Sequence, residues 1–225
     1  MTDYRLLPGF SQTAGAWDAV CAALPHSARA RPLDIPALRS FEETAGAFVP
    51  EGSGVWAGYS MGGRLALWIA LEHPELVEAL ALISTNPGIN DDRQRRVRRD
   101  SDEELAGFIE SSGHDAFFDR WLAQPLFSGL DPVAARQHRL TSAPELANQL
   151  RTLGQGAQQP LWDRLPELSM PVAVVAGARD ERYAAIAGQT AAGIGSNGKL
   201  HLVPGAGHAL LQEAPAAVAD ILSAL

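Results

Sequence analysis

Residues 58–63 have the sequence GYSMGG, which satisfies the pattern G-x-S-x-G. The apolar residues 55–57 before it predict a strand, and the residues after Gly63 predict a helix that ends before Pro74. In this strand–turn–helix context the glycines allow a tight turn that presents the Ser60 hydroxyl above the end of the strand. The context favours a catalytic serine, and the alternative is a serine that only caps a glycine-rich helix.

Ser60 needs a partner, because a serine hydroxyl is a weak nucleophile and a weak base unless an imidazole accepts its proton. Asp180 follows a predicted strand at residues 171–177, and His208 follows the next predicted strand at residues 199–203. Parallel sheets build their sites from loops at the carboxyl ends of their strands. We therefore predict that Ser60, Asp180 and His208 form a catalytic triad, in the chain order serine, acid, histidine.

The chain offers alternatives to two members of this triad. Glu181 is adjacent to Asp180 and is the alternative acid. The remaining histidines lie at a helix end, within a predicted strand or in polar surroundings, where a structural or solvated role is expected. They are His26, His73, His114, His138 and His201.

An oxyanion formed beside Ser60 would need hydrogen-bond donors, which in such sites are commonly backbone N–H groups. The candidates are the N–H of Met61, which follows Ser60, and the N–H of Phe10, which follows the first predicted strand. For Phe10 the alternative is an ordinary turn at Pro8 and Gly9 with no role in binding.

Predicted strands and helices alternate up to residue 88 and again after residue 165, whereas the segment between is helical and rich in arginine and acidic residues. We predict one α/β structural domain with a cap: an N-terminal core segment (1–88), a helical cap insertion (89–165) and a C-terminal core segment (166–225). The sheet is expected to be mostly parallel, with helices on both faces and the cap inserted between two late strands. The expected strands are residues 4–7, 30–35, 55–57, 76–83, 171–177 and 199–203, and the expected helices outside the cap are residues 17–24, 41–49, 62–71 and 212–225.

The composition of the 225-residue chain is typical of a globular protein, and its net charge of −8 opposes binding to nucleic acid or to anionic membranes. No apolar run could span a bilayer and no signal sequence is recognisable, so a cytoplasmic protein is expected. Cys21 is the only cysteine, which excludes an intrachain disulfide and argues against a cysteine-based zinc site. All basic residues except Lys199 are arginines, which suits bidentate binding of carboxylates, although genome base composition produces the same bias.

Motifs beyond the GYSMGG turn resemble one branch of the α/β hydrolases, the MenH family of 2-succinyl-6-hydroxy-2,4-cyclohexadiene-1-carboxylate synthases in menaquinone biosynthesis. The similarity extends over nearly the whole chain. The motifs that carry it are LPGFS at residues 7–11 with Trp17 downstream, Arg64 after the second glycine, NPGI at 86–89, an arginine-rich segment at 93–99, FDRWLAQPLF at 118–127 and GARD at 177–180.

The resemblance implies the α/β-hydrolase fold and a lyase that needs no cofactor. Enzymes of this family eliminate pyruvate from 2-succinyl-5-enolpyruvyl-6-hydroxy-3-cyclohexene-1-carboxylate, a small anionic carboxylate. Ser60 would act as a general base on a ring proton, with His208 relaying the proton and Asp180 orienting the histidine. The implied substrate-binding residues are Tyr59, Arg64, Arg98, Trp121 and Arg139, with Arg95 or Arg99 as alternatives to Arg98.

The sequence departs from the family pattern where Pro8 replaces a histidine and where the usual Gly-His-Gly after residues 34–36 is missing. Two other functions remain open: a hydrolase of esters or C–C bonds, and a small-molecule binder without catalysis. Several arginines at the pocket favour the lyase over an esterase for neutral substrates, and a complete triad argues against the binder. The protein is expected to be a monomer or a small homo-oligomer.

Overall fold

A computed structural model describes residues 1–124, 127 and 130–225 of the chain. Its centre is a sheet of six strands in the order β2-β1-β3-β4-β5-β6, and every neighbouring pair is parallel. The strands are β1 (Thr2–Leu7), β2 (Ala28–Pro32), β3 (Gly54–Tyr59), β4 (Val77–Ile83), β5 (Val172–Gly177) and β6 (Gly198–Val203). The helices are α1 (Asp18–Ala23), α2 (Phe41–Gly46), α3 (Met61–Glu72), α4 (Asp92–Leu122), α5 (Pro132–Arg136), α6 (Ala143–Leu153), α7 (Glu181–Ile194), α8 (Leu210–Glu213) and α9 (Pro215–Ser223).

The sheet is covered on both faces, because successive side chains of a strand point to opposite sides. On β3, Trp56 joins the apolar cluster that includes α2, α3 and α7, whereas Val55 and Ala57 join the cluster that includes α1, α8 and α9. All residues of β3 and β5 are buried. Such continuous apolar strands are typical of parallel sheets with helices on both faces, as the sequence predicts.

The region between β4 and β5 contains α4, α5 and α6, and the first and last of these pack together through a third apolar cluster. Gly113 interrupts α4 with a φ of 83°, which bends the chain within this region. Leu161 and Leu165, near the end of the predicted cap, are buried in the core cluster on the α3 and α7 side of the sheet. The helices that cover the sheet's carboxyl edge are therefore α4 to α6, and we refer to these three as the cap helices.

Three element predictions need correction. β2 begins at Ala28, two residues earlier than expected, because it pairs in register with β1 from Thr2 onward. The C-terminal helix is divided into α8 and α9 by Pro215, whose ring cannot continue a helix but suits its first turn. Helix α7 was not predicted from the sequence, although Asp180 caps it by accepting the Tyr183 N–H. Among the described residues, no helix is long and apolar enough to cross a membrane.

Candidate active site

Ser60 occupies the sharp turn between β3 and α3. Its φ of 51° and ψ of −106° form a conformation that is uncommon for residues other than glycine, and its N–H donates to the Ile83 carbonyl over 2.8 Å. Glycine is required on both sides by close packing: a Cβ at Gly58 would lie 2.3 Å from the Gly62 oxygen, and one at Gly62 would lie 2.3 Å from the Leu7 oxygen. The motif therefore places Ser60 at the carboxyl end of the central strands.

We expect Gly58→Ala to lower the free energy of unfolding by about 1–3 kcal/mol, since its new methyl group meets backbone that cannot move aside. Gly188→Ala is the matched control, because a Cβ there has no neighbour within 4 Å and the position lies inside α7. Alanine is favoured over glycine in a helix by about 0.5–1 kcal/mol, so the control should be slightly stabilised. Urea unfolding of both variants measures this difference, and equal stabilities would contradict the packing argument.

His208 and Asp180 form a buried, hydrogen-bonded pair beside this turn. The His208 Nδ1 atom lies 2.9 Å from Asp180 Oδ2, and the two side chains are only 4% and 7% exposed. Burial raises the pKa of the Asp180 carboxyl, but hydrogen bonds from His208 and from the Tyr183 N–H outweigh burial and leave this pKa below its usual value. An ionised Asp180 favours the tautomer with a proton on Nδ1, which leaves Nε2 free to accept a proton.

The loop that carries His208 is fixed by its own set of hydrogen bonds. The Glu213 carboxylate accepts the N–H groups of Gly207 (2.8 Å) and Ala209 (3.0 Å), on either side of the histidine. The Ser84 hydroxyl donates to the His208 carbonyl over 2.9 Å. The rings of Tyr183 and Tyr59 pack against the imidazole with centroid distances of 4.3 Å and 5.7 Å. These contacts restrict the position of the imidazole.

A cavity of about 200 Å³ lies between this region and the cap helices, and both Ser60 and His208 line it. Among the described residues, no hydrogen bond joins the Ser60 hydroxyl to His208, and no other histidine lines the cavity. Glu181, the alternative acid, is exposed, and its side chain makes no hydrogen bond to His208 in the described part of the chain. The structure thus brings together the three side chains predicted as a triad. Of the two hydrogen bonds that a triad needs, the one between His208 and Asp180 is formed, and the one between Ser60 and His208 is not.

Four arginines line the same cavity: Arg64, Arg98, Arg139 and Arg182. Arg64 is only 5% exposed and donates to two neutral oxygens, Gln158 Oε1 (2.8 Å) and the Leu153 carbonyl (2.6 Å). Burial and the nearby charge of Arg98 lower its pKa to about 10, so it stays cationic at neutral pH. The described lining residues include no aspartate or glutamate. The cavity therefore carries net positive charge, and the carboxylate of Asp102, which lies outside the lining, offsets the charge of Arg98.

The arginines of the cap segment, unlike Arg64 on α3, form hydrogen bonds with different partners. Arg98 pairs with Asp102 at 2.8 Å, and Arg139 donates to the Ala135 carbonyl and to the Ser11 hydroxyl, each over 2.9 Å. Arg95 and Arg99 are the two alternatives to Arg98. Arg99 donates to the Gly156 carbonyl, and Arg95 donates to the Ile89 carbonyl and to the Asp92 carboxylate. Neither alternative is among the described residues that line the cavity.

Aromatic side chains form the apolar wall of the cavity. Phe10 packs edge-on against Trp121, with ring centroids 5.3 Å apart, and against Phe117 at 5.9 Å. Tyr59 is buried, which raises the pKa of its hydroxyl. Phe127 also lines the cavity, whereas Pro125 and Leu126 of the FDRWLAQPLF motif lie outside the described residues.

The two N–H groups predicted to bind an oxyanion both belong to residues that line the cavity, Phe10 and Met61. Met61 is the first residue of α3, where a helix leaves its N–H groups without intrahelical partners. Neither N–H donates a hydrogen bond to any described residue. Both N–H groups therefore lack a hydrogen-bond acceptor within the described part of the chain.

Several lining residues were not identified from the sequence. They are Gln12, Gln124, Gln149, Leu150, Leu153, Gly154, Gln155, Arg182, Tyr183, Ala209 and Gln212. Arg182 and Tyr183 lie two and three residues after the acid Asp180, and recognition of α7 would have placed them at the cavity. The glutamines carry no distinctive sequence pattern. Among the described residues, no cluster of three or more His, Cys, Asp or Glu side chains could hold a metal ion.

The sequence profile of the alpha/beta hydrolase family matches residues 6–221. The chain belongs to the alpha/beta hydrolase family. The solved structure of MenH from S. aureus superimposes with a TM-score of 0.92 at 27% sequence identity, covering 98% of this chain and 91% of that one. These two matches confirm the α/β-hydrolase fold and the family membership that the sequence predicts.

Two curated relatives within this alpha/beta hydrolase family are named for one reaction. A 2-succinyl-6-hydroxy-2,4-cyclohexadiene-1-carboxylate synthase from Enterobacter sp. (strain 638) is 31% identical over 238 residues, which cover 96% of this chain and 88% of the relative. A Bacillus subtilis (strain 168) protein provisionally given the same name is 39% identical over 173 residues. That match spans 74% of this chain and 63% of the Bacillus protein's length.

Proposed function

We propose that the chain is a 2-succinyl-6-hydroxy-2,4-cyclohexadiene-1-carboxylate synthase, a lyase of menaquinone biosynthesis that eliminates pyruvate from its substrate. One observation carries the proposal: four arginines line the cavity that also contains Ser60 and His208, with no carboxylate among the described lining residues. Guanidinium groups bind carboxylates through paired hydrogen bonds, so the cavity suits a substrate with several carboxylates. The names of the relatives from Enterobacter and Bacillus point to the same reaction.

Proton abstraction is the first step that these residues would perform. Ser60 passes its hydroxyl proton to Nε2 of His208 and takes the ring proton next to the succinyl carbonyl. Asp180, ionised and bonded to Nδ1, stabilises the imidazolium that forms. The contact between Ser60 and His208 would tighten when the substrate is bound, as catalytic hydrogen bonds often do.

The electrons of the broken C–H bond move to the carbonyl oxygen, which accepts hydrogen bonds from the N–H groups of Phe10 and Met61. When the carbonyl re-forms, a new double bond forms between C2 and C3, the existing ring double bond shifts to C4 and C5, and the C–O bond from C5 to the enolpyruvyl group breaks. The departing enolate takes up the proton held on Nε2 of His208 at its terminal carbon and becomes pyruvate, which returns His208 to its neutral form, while Ser60 has already regained a proton from the ring carbon. The reaction consumes neither water nor an oxidant, which agrees with a site that needs no cofactor.

The experiment that tests the proposal assays the purified protein in parallel for pyruvate release from the enolpyruvyl substrate and for hydrolysis of short p-nitrophenyl esters. We expect pyruvate and the cyclohexadiene in equal amounts, with ester turnover slow by comparison. Fast ester hydrolysis without pyruvate would show that the alternative, a serine hydrolase, is correct. The expected cytoplasmic location and the monomeric or small homo-oligomeric state stay predictions.

Arg64→Met should weaken substrate binding, since it removes a buried cation and keeps most of the side-chain volume. A hydrogen bond to a charged group is worth about 1.5–3 kcal/mol, which predicts an increase in KM of roughly 10-fold to 150-fold. The matched control is Arg96→Met, which removes the same charge from an exposed position on α4 that does not line the cavity. Equal KM values for the two variants would remove Arg64 from the binding site.

A further inference from the structure

The cap forms three hydrogen bonds with a single residue, Ser11, of the loop that carries Phe10. Ser11 is fully buried and has a φ of 65°, which is energetically costly for a residue with a side chain. Each of its polar groups contacts a cap residue: its N–H donates to Gln149 Oε1 (3.2 Å), its carbonyl accepts from the Leu140 N–H (2.9 Å), and its hydroxyl accepts from Arg139 (2.9 Å). A strained backbone conformation persists only where its surroundings impose it, so the cap imposes this one.

The hydrogen bonds of the loop leave one N–H unused. Gly9 donates to Gln12 Oε1 (2.9 Å), Gln12 donates to the Gly9 carbonyl (3.2 Å), and Thr13 donates to the His138 carbonyl (2.8 Å). With the Ser11 N–H bound to Gln149, the N–H of Phe10 alone between residues 9 and 13 has no acceptor among the described residues. An unpaired N–H at a cavity wall costs free energy, which a ligand oxygen would recover.

We propose that Gln149 is a positioning residue that, through Ser11, holds the Phe10 N–H toward the reacting oxygen. The oxyanion site is then complete only when the cap is docked on the core. Gln149 is suited to this role because it is 1% exposed and its Nε2 faces the Ile35 carbonyl at 3.5 Å, which directs Oε1 toward Ser11. The inference rests on the proposed function to the extent that an oxyanion forms in the reaction.

The first test is Gln149→Met, which keeps the size of the side chain and removes the acceptor. We expect kcat to fall about 10-fold to 100-fold, because small displacements of catalytic groups cost up to about 100-fold. KM should stay within about twofold, since the N–H binds an oxyanion that exists only in the transition state. A Gln149 that touched the substrate directly would instead raise KM.

The matched control is Asn148→Leu on the same helix. Asn148 also joins the cap to the core, through a 2.7 Å hydrogen bond to the Ala37 carbonyl. Among the described residues it does not line the cavity, and its side chain makes no hydrogen bond to residues 9–13. If loss of a cap–core bond acted only through stability, both variants would lose the same activity. Equal kcat values for Gln149→Met and Asn148→Leu would therefore overturn the proposal.

A second variant covers the case in which Gln149→Met does not fold. Ser11→Gly adopts the positive φ without strain and keeps the N–H and carbonyl bonds, but it lacks the hydroxyl bound by Arg139 and gives the loop more freedom. We expect the freer loop to lower kcat several-fold. An unchanged kcat in this folded variant would show that the conformation of residue 11 does not position the Phe10 N–H, and so would contradict the proposal.

Amide hydrogen exchange separates this inference from the proposed function. In the native protein the Ser11 N–H should be protected, and Gln149→Met should accelerate its exchange while Asn148→Leu should not. Absence of pyruvate release by the native protein would overturn the lyase assignment alone, and kcat would then be measured on whichever ester requires Ser60. Unchanged Ser11 exchange in Gln149→Met would overturn the role of Gln149, whatever the reaction.

Discussion

Ser60→Ala should lower kcat by about 10²-fold to 10⁴-fold, the range that positioned general bases contribute. The variant loses the only hydroxyl at the turn between β3 and α3, while the arginines of the cavity remain. Substrate binding should therefore persist, with KM within a few-fold of the native value. Steady-state assays of pyruvate release measure both constants.

Ser53→Ala is the control for this substitution, because Ser53 is exposed and lies just before β3, away from the cavity. It should leave kcat unchanged. A Ser60→Ala enzyme with native kcat would show that another group removes the ring proton, and the assignment of the base would then be wrong.

Asp180→Asn is expected to have a comparable effect, because an asparagine can donate a hydrogen bond to Nδ1 and so favour the wrong tautomer of His208. The same change in a serine protease triad lowers kcat by about 10⁴-fold, a reference value for that protease. Glu181→Gln tests the neighbouring acid, which is exposed, and should leave kcat unchanged. A large loss in Glu181→Gln with a small one in Asp180→Asn would reverse the assignment.

Asp180 also links stability to pH. Its pKa in the folded protein lies below its usual value, because the hydrogen bonds from His208 and the Tyr183 N–H outweigh the effect of burial. The unfolded chain then binds a proton more readily, so the free energy of unfolding decreases as the pH falls below the unfolded value of about 3.9. Urea unfolding at neutral and acidic pH measures this effect. The free energy of unfolding should decrease less in Asp180→Asn than in the native protein, and equal decreases would contradict a lowered pKa of Asp180.

Residues whose positions depend on short-range patterns were predictable from the sequence. The GYSMGG turn requires glycine at fixed spacings around Ser60, and Asp180 and His208 lie in the loops that follow β5 and β6, so the convergence of these loops follows from a parallel sheet. The position of Arg64 near Ser60 was predictable for the same reason, because Arg64 lies four residues after Ser60, on α3.

Features that depend on long-range packing were not predictable in this way. Arg95, Arg98 and Arg99 share one helix, and only the packing of α4 on α6 and on the segment after α6 decides which of them lines the cavity. The contact between Gln149 and Ser11 joins residues 138 positions apart and follows no motif. Helix α7 was missed because its many alanines and glycines give only a weak apolar periodicity.

The proposed binding mode and the role of Ser60 can be tested together by a crystal structure of Ser60→Ala with the enolpyruvyl substrate bound. We expect carboxylate oxygens within hydrogen-bond distance of Arg64 and of at least one other cavity arginine, and the succinyl carbonyl oxygen within hydrogen-bond distance of the N–H groups of Phe10 and Met61. The ring carbon that loses its proton should face position 60. A well-ordered substrate with its carboxylates away from these arginines, or with that carbon facing away from position 60, would show that the proposed roles of the arginines or of Ser60 are wrong.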